Sequence, residues 1–147
     1  MAEEKVNVFI KYHDDSLERI KEISVGDMYD LRAAETVALT PFSFRLIDLG
    51  ISIKMPKGYM CLIVPRSSTY MKYSIIQANS VGIIDNSYSG TYDIIKFPAI
   101  ALQNTVINKN DRICQMCVVK CPPSINFIES DTLDDHERGG SRSTGWQ

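Results

Sequence analysis

From Gly26 onward the chain is cut into short apolar runs, many of them β-branched, with turn residues between them. Short runs at roughly even spacing, bounded by Gly, Pro, Asn and Asp, are the pattern of strands rather than helices. The strands predicted are Thr36 to Leu39, Phe44 to Leu49, Ile51 to Met55, Tyr59 to Pro65, Ser74 to Ala78, Val81 to Asp85, Tyr92 to Phe97, Ile100 to Leu102, Arg112 to Lys120 and Asn126 to Ser130. Thr40-Pro41, Pro56-Lys57-Gly58, Ser89-Gly90 and Asn108-Lys109-Asn110 supply the turns between them. Before Gly26, Val6 to Tyr12 reads as a first strand. Asp14 to Ile23, with Leu17, Ile20 and Ile23 at weak helical spacing, reads as a short helix or a loop. There is no long amphipathic helix and no internal repeat. The expected fold class is therefore all-β, a sandwich or a barrel. With 147 residues, 44% of them hydrophobic, the chain has the size and composition of one domain with a real core.

The last stretch differs. Asp131 to Gln147 has few apolar residues and much charge, Gly and Ser. By composition it is a tail that is mobile when free, giving a division into residues 1–130 and 131–147. Within it, Arg138-Gly139-Gly140-Ser141-Arg142-Ser143-Thr144-Gly145 is rich in anion-binding groups: exposed backbone N–H donors, two guanidinium groups and hydroxyls. Such a tail can close over phosphates.

Several function classes lose support. The net charge of −2 gives no basic surface for nucleic acid. No apolar run approaches membrane-spanning length, and the charged start Met1-Ala2-Glu3-Glu4-Lys5 lacks the apolar core of a signal peptide, so a cytoplasmic protein is expected. Cys114, Cys117 and Cys121 have the spacing of a metal cluster. On a strand, however, Cys114 and Cys117 face opposite ways, and buried thiols in a core are the simpler reading. With only His13 and His136, both expected to be solvated, acid–base chemistry falls to a carboxylate.

Four polar islands interrupt the apolar pattern. The most informative is Gly82-Ile83-Ile84-Asp85-Asn86-Ser87-Tyr88-Ser89-Gly90. Ile83 and Ile84 read as a buried strand end, which leaves Asp85 where the strand stops and able to reach a cleft as a general base. Tyr88 offers a flat, half-polar face for a sugar or a base. An ordinary Asp-containing hairpin would also account for this stretch taken alone. Pro65-Arg66-Ser67-Ser68 puts a guanidinium and two hydroxyls at a strand end, suited to phosphate oxygens or to a plain polar turn. Asp111-Arg112, with Gln115, opens a further strand. Tyr29-Asp30-Leu31-Arg32-Ala33-Ala34 carries an acid that a local salt bridge between Asp30 and Arg32 would explain. Taken together, Arg66, Arg112, Arg138 and Arg142 as anion ligands, with Asp30 and Asp85 as metal or water partners, fit a phosphate-rich substrate and a hard cation such as Mg2+. There is no P-loop sequence.

In their order these four islands and the tail segment resemble the five motifs of the trimeric dUTPases, over nearly the full length of the chain. Tyr29 to Ala34 resembles the first motif, Pro65 to Ser68 the second, Gly82 to Gly90 the third, Asp111 to Gln115 the fourth, and Arg138-Gly139-Gly140 with Ser143-Thr144-Gly145 the fifth. The resemblance implies a jelly-roll subunit of the β-clip kind, a homotrimer with shared active sites, and hydrolysis of dUTP to dUMP and pyrophosphate. By position it implies that Asp85 activates the water attacking the α-phosphorus, and that Tyr88 stacks beneath the deoxyribose. The backbone of Gly82 and Ile84, with Asn79, would read uracil. Arg66, Ser67, Ser68 and Gln115 would hold phosphate oxygens. Asp30 would bond waters on Mg2+, and Arg138, Ser143 and Thr144 would clamp the phosphates as the tail closes.

The match has departures. Ser141-Arg142 stands where the family usually has Phe-Gly, which leaves Trp146 or Tyr92 to cover the uracil. Asn110 replaces the usual Gly before Asp111, a change that a left-handed conformation tolerates. The same fold also suits a dCTP deaminase, or a regulatory protein that binds a partner through a nucleotide-switched tail.

Overall fold

A computed structural model describes residues 5–22 and 25–134. Eleven strands and one short helix follow in order. They are β1 (Phe9–Tyr12), β2 (Tyr29–Arg32), β3 (Val37–Leu39), β4 (Phe44–Asp48), β5 (Ile51–Lys54), β6 (Tyr59–Pro65), α1 (Thr69–Tyr73), β7 (Ile75–Gln77), β8 (Gly82–Ile84), β9 (Lys96–Ala101), β10 (Thr105–Ile107) and β11 (Arg112–Lys120). Every pairing is antiparallel. The largest sheet runs β2-β11-β6-β8 and a second runs β4-β9-β7, while β1 pairs with β5 and β10 with β3.

The all-β class follows from strict alternation. In β9, Phe97, Ala99 and Ala101 are buried while Lys96, Pro98 and Ile100 face outward. In β6, Cys61 and Ile63 point in. These inward rows, with Leu31, Ile47, Ile75 and Ile113, meet in one core. Two of the thiols belong to that core: Cys61 and Cys114 are buried, Cys117 is half-buried and Cys121 is exposed. Burial pushes the Cys61 thiol up to about 12 and the Cys114 thiol higher as well, so both stay protonated.

β6 and β11 have the predicted bounds. Elsewhere the structure departs from the sequence reading. Asp14 to Glu22 is a turn followed by irregular chain with no helix; Leu17 is buried at 3% exposure and Ile20 packs against the core only in part. Tyr92 to Phe97 and Ile100 to Leu102 are not two strands. The chain turns through Tyr92 and then runs as the single strand β9, in which Pro98 faces outward. Asn126 to Ser130 forms no strand, since no neighbouring strand pairs with it among the described residues, and Phe127 and Ile128 are exposed. β2, β10 and α1 are additions. β2 alternates polar and apolar too briefly to be read as a strand, and the other two are short. His13 is half-buried rather than solvated, with its Nε2 2.8 Å from Ser52 Oγ. No described helix is long and apolar enough to cross a membrane. The boundary at residue 130 and the tail beyond it are hardly sampled, because residues 135–147 lie outside the described residues.

Candidate active site

β6 has seven residues, and at a rise of about 3.3 Å each its ends stand ~20 Å apart. Arg66 and Ser67 continue from its last residue, Pro65. Asp85 lies at the other end: β8 stops at Ile84, which pairs with Cys61, and the Asn86 amide donates to the Tyr59 carbonyl at 3.3 Å. Each end of the strand opens into a cleft.

The first cleft, of about 530 Å³, is lined on its sheet side by Asp30, Arg32, Arg66, Ser67, Arg112 and Gln115. Alternation in β2 buries Leu31 and turns Asp30 and Arg32 outward together. A β-bulge does the same for β11. The register with β2 shifts between Arg112 and Cys114, so Ile113 and Cys114 are both buried. Arg112 and Gln115, an odd number of residues apart, therefore line the same cleft. Arg66 is held by its backbone: its N–H donates to Thr69 Oγ1 at 2.8 Å, and that hydroxyl donates to the Ile113 carbonyl at 2.8 Å. Gln115 Nε2 donates to the Pro65 carbonyl at 3.0 Å, which joins β11 to the end of β6.

Asp30 is the electrostatic centre of this cleft. Arg66 Nε lies 3.0 Å from its Oδ1 and Arg112 Nη1 3.2 Å from its Oδ2. The local Asp30–Arg32 bridge expected from the sequence does not form. Arg32 instead reaches Glu18 Oε2 at 3.1 Å and donates to the Asn110 carbonyl at 2.8 Å. All these pairs are partly exposed, so each adds little to stability, ~0–1 kcal/mol. Their consequence is placement: two guanidinium groups are gathered beside one carboxylate in a cleft with room for a polyphosphate. No three His, Cys, Asp or Glu side chains among the described residues are grouped to hold a metal. A cation chelated by protein alone does not fit. A Mg2+ carried on phosphate oxygens, keeping its waters and touched by a single carboxylate, does.

The second cleft, of about 390 Å³, is lined by Leu46, Ile84, Asp85, Tyr88, Ile94 and Lys96, among others. Here local sequence builds the geometry. Asp85 Oδ1 accepts the Ser87 N–H at 2.8 Å and also the Ser87 hydroxyl, and the Tyr88 N–H closes the turn on the Asp85 carbonyl at 3.1 Å. The two Ser87 bonds hold the Asp85 carboxyl below its ordinary value, so it is ionised at neutral pH. Its Oδ2 has no partner among the described residues. The Tyr88 hydroxyl donates to the Ile94 carbonyl at 2.8 Å, which fixes the ring as a wall. Gly82 is buried, and a Cβ there would come within 3.2 Å of Ile63 Cβ, so the approach of β8 to β6 favours glycine. The buried strand end is only half right. β8 is an edge strand whose alternation turns Ile84 inward, half-buried, and leaves Ile83 exposed.

The remaining candidates are dispersed. Ser68 is the N-cap residue of α1 and lines neither cleft. Asn79 is exposed in the turn before β8 and lines neither. Tyr92 is also outside the second cleft, with Lys11 Nζ over its ring at 4.6 Å and the His13 ring 6.2 Å away. Arg138, Ser143, Thr144 and Trp146 lie outside the described residues. Arg19, Lys21 and Arg32 line the first cleft without having been singled out as ligands. For Arg32 the signal was available, since it lies two residues from Asp30 on a strand.

Comparisons with known proteins bear on the family and the fold. The dUTPase family profile matches residues 17–145. The SPbeta prophage-derived deoxyuridine 5'-triphosphate nucleotidohydrolase of Bacillus subtilis is 47% identical, over 95% of this chain and 99% of its own length. The deoxyuridine 5'-triphosphate nucleotidohydrolase of Maricaulis maris is 37% identical, over 79% of each chain. Among solved structures, the dUTPase of Staphylococcus bacteriophage 80alpha with dUPNHPP has a TM-score of 0.74 at 20% identity, covering 95% of this chain and 98% of that one. A dUTPase from phage phi11 of S. aureus, described with a structural Mg(II) ion, has a TM-score of 0.73 at 18% identity, covering 85% and 98%. At those identities the two structures speak for the fold alone, which is jelly-roll-like.

Proposed function

The chain belongs to the dUTPase family, and we propose on that footing that it is a homotrimeric dUTP diphosphatase whose active site joins the Asp85 cleft of one copy to the Asp30 cleft of another. The observation that carries this reading is the separation of the two clefts along β6. Within one chain the base stands ~20 Å from the guanidinium groups, too far for one nucleotide's α-phosphorus and phosphate tail to meet both. A symmetric trimer supplies the missing half of each site from a neighbour.

In the reaction, Asp85 Oδ2 accepts a proton from water as the water oxygen bonds to the α-phosphorus. The bond from that phosphorus to the bridging oxygen breaks, and pyrophosphate leaves with the bond's electron pair. Ser87 holds Asp85 ionised and aimed by occupying the other oxygen. Tyr88 packs against the deoxyribose and leaves no room for a 2′-hydroxyl, so a ribonucleotide is rejected by contact. The backbone of Gly82 and Ile84, with Asn79, reads uracil.

In the second cleft's partner, Arg66, Ser67 and Gln115 hold phosphate oxygens, with Arg112 beside them. The triphosphate oxygens compete for the two guanidinium groups that Asp30 holds, and Asp30 would be the residue that holds Mg2+ through its waters. The Mg2+ supplies neutralisation of the triphosphate charge. Arg138, Ser143 and Thr144 then close over the phosphates with the tail.

Mixed trimers test this directly. Asp85→Asn and Arg66→Ala chains are each expected to be nearly inactive. Refolded together, they should form one intact site in about four, since half the base-donating halves and half the cleft-donating halves are sound in a random trimer. Absence of any recovered dUTP cleavage would mean that each chain works alone and that the shared site is wrong.

A further inference from the structure

We propose that Asn110 is a positioning residue that sets the width of the anion cleft by tying its outer wall to the start of β11. Asn110 has a positive φ of 72° and makes links in two directions. Toward β2, its N–H donates to the Ala33 carbonyl at 2.8 Å and its own carbonyl accepts from Arg32 Nη1 at 2.8 Å. Toward the early segment, its Oδ1 accepts the Glu18 N–H at 2.9 Å, and its Nδ2 reaches the Ser16 carbonyl at 3.4 Å. The chain leaving Glu18 supplies the far side of the cleft, with Arg19, Lys21 and Glu22 among its lining residues. Two residues after Asn110 stands Arg112, on the near side. One residue therefore connects both walls, by its backbone on one side and its side chain on the other.

The surroundings fit this role. Leu17 is buried so close to Gly50 that a Cβ on that glycine would come within 2.9 Å of Leu17 Cδ2. The Lys109 ammonium bonds Asp14 and Ser16. These contacts hold the beginning of the segment; at Glu18, just before the basic residues, Asn110 holds the backbone beside the Arg32–Glu18 ion pair, and the Tyr12 hydroxyl accepts the Ile20 N–H at 2.9 Å. A glycine at 110 would adopt the same backbone conformation at no cost but could not bond Glu18. The side chain, rather than the conformation, is what this residue adds. This inference rests on reading the cleft as a polyphosphate site.

The test uses the full-length protein with Asn110→Gly and Asn110→Asp. Loss of the amide should speed tryptic cleavage after Arg19 and Lys21 roughly three- to ten-fold, the range expected for one hydrogen bond. The Kd for inorganic pyrophosphate and the KM for dUTP should rise by a similar factor, with kcat falling less. Asn110→Asp keeps the acceptor for the Glu18 N–H and should restore most of the binding and the protease resistance. If Asn110→Gly leaves cleavage and pyrophosphate affinity unchanged, there is no tether. If cleavage speeds up while pyrophosphate affinity holds, the tether is merely structural and the positioning role is overturned. A wild-type chain that never cleaved dUTP would defeat the enzymatic reading, yet the cleavage and pyrophosphate measurements would still decide the role of Asn110.

Discussion

The two clefts are built on opposite principles. The Asp85 cleft is made by neighbours in sequence: Asp85, Ser87 and Tyr88 arrange one another through a single turn, and Ile94 fixes the tyrosine. The Asp30 cleft is made by strangers, with Asp30, Arg66, Arg112 and Gln115 brought together only by strand register and one bulge. The first keeps one carboxylate oxygen open and ionised, as a base requires. The second keeps its carboxylate occupied by two guanidinium groups. One carboxylate can be aimed by its own neighbours in sequence, whereas several charges gathered in one cleft have to be collected from across the fold.

Breaking the local half should have the largest effect. Asp85→Asn keeps the shape but removes the proton acceptor, and kcat should fall by about 10²–10⁴-fold with nucleotide affinity nearly retained. Steady-state rates beside a binding isotherm measure both, and a near-normal rate would remove Asp85 from its role. Deleting residues 137–147 should come next, with a loss of order 10²-fold in kcat/KM and no loss of folding, if the tail positions the phosphates as proposed. An unaltered rate would mean that the tail takes no part.

The assembled half should respond through stability and metal binding. Thr69→Val removes the hydroxyl that satisfies both the Arg66 N–H and the Ile113 carbonyl at a side chain 1% exposed. It should cost ~1–3 kcal/mol, read as a lower denaturation midpoint with a raised KM. Because Asp30 is already paired, Mg2+ titrated into the free protein should give little heat, and binding should appear once pyrophosphate is present. Strong binding of Mg2+ alone would show that Asp30 is not engaged in solution.

The smallest effect sharpens the comparison most. The folded-state pKa of Asp85 is depressed, so its base form persists above that value and is lost only as pH falls through it. Ser87→Ala removes the hydroxyl bond that holds the carboxyl down, so the acid limb of kcat/KM should move to higher pH. An unmoved limb would assign that limb to another group.

The sequence by itself determined the all-β class, because alternating apolar residues between turn residues leave little else to form. It also placed Asp85 where a strand stops, and the turn that follows is closed by the near neighbours Ser87 and Tyr88. Four of the five motifs could be matched residue by residue to places in the fold, and the fifth lies beyond the described residues. What sequence reasoning missed depended on partners elsewhere. Asp30 bonds Arg66 and Arg112 rather than nearby Arg32, because register sets side-chain distances across strands. Asn126 to Ser130 is apolar enough for a strand but has no neighbour to pair with among the described residues. Only the tertiary structure decided that Asp85 and the arginines of the first cleft stand at opposite ends of β6. Local bonding fixes a turn, but the separation between turns is set by the length and pairing of the strand between them.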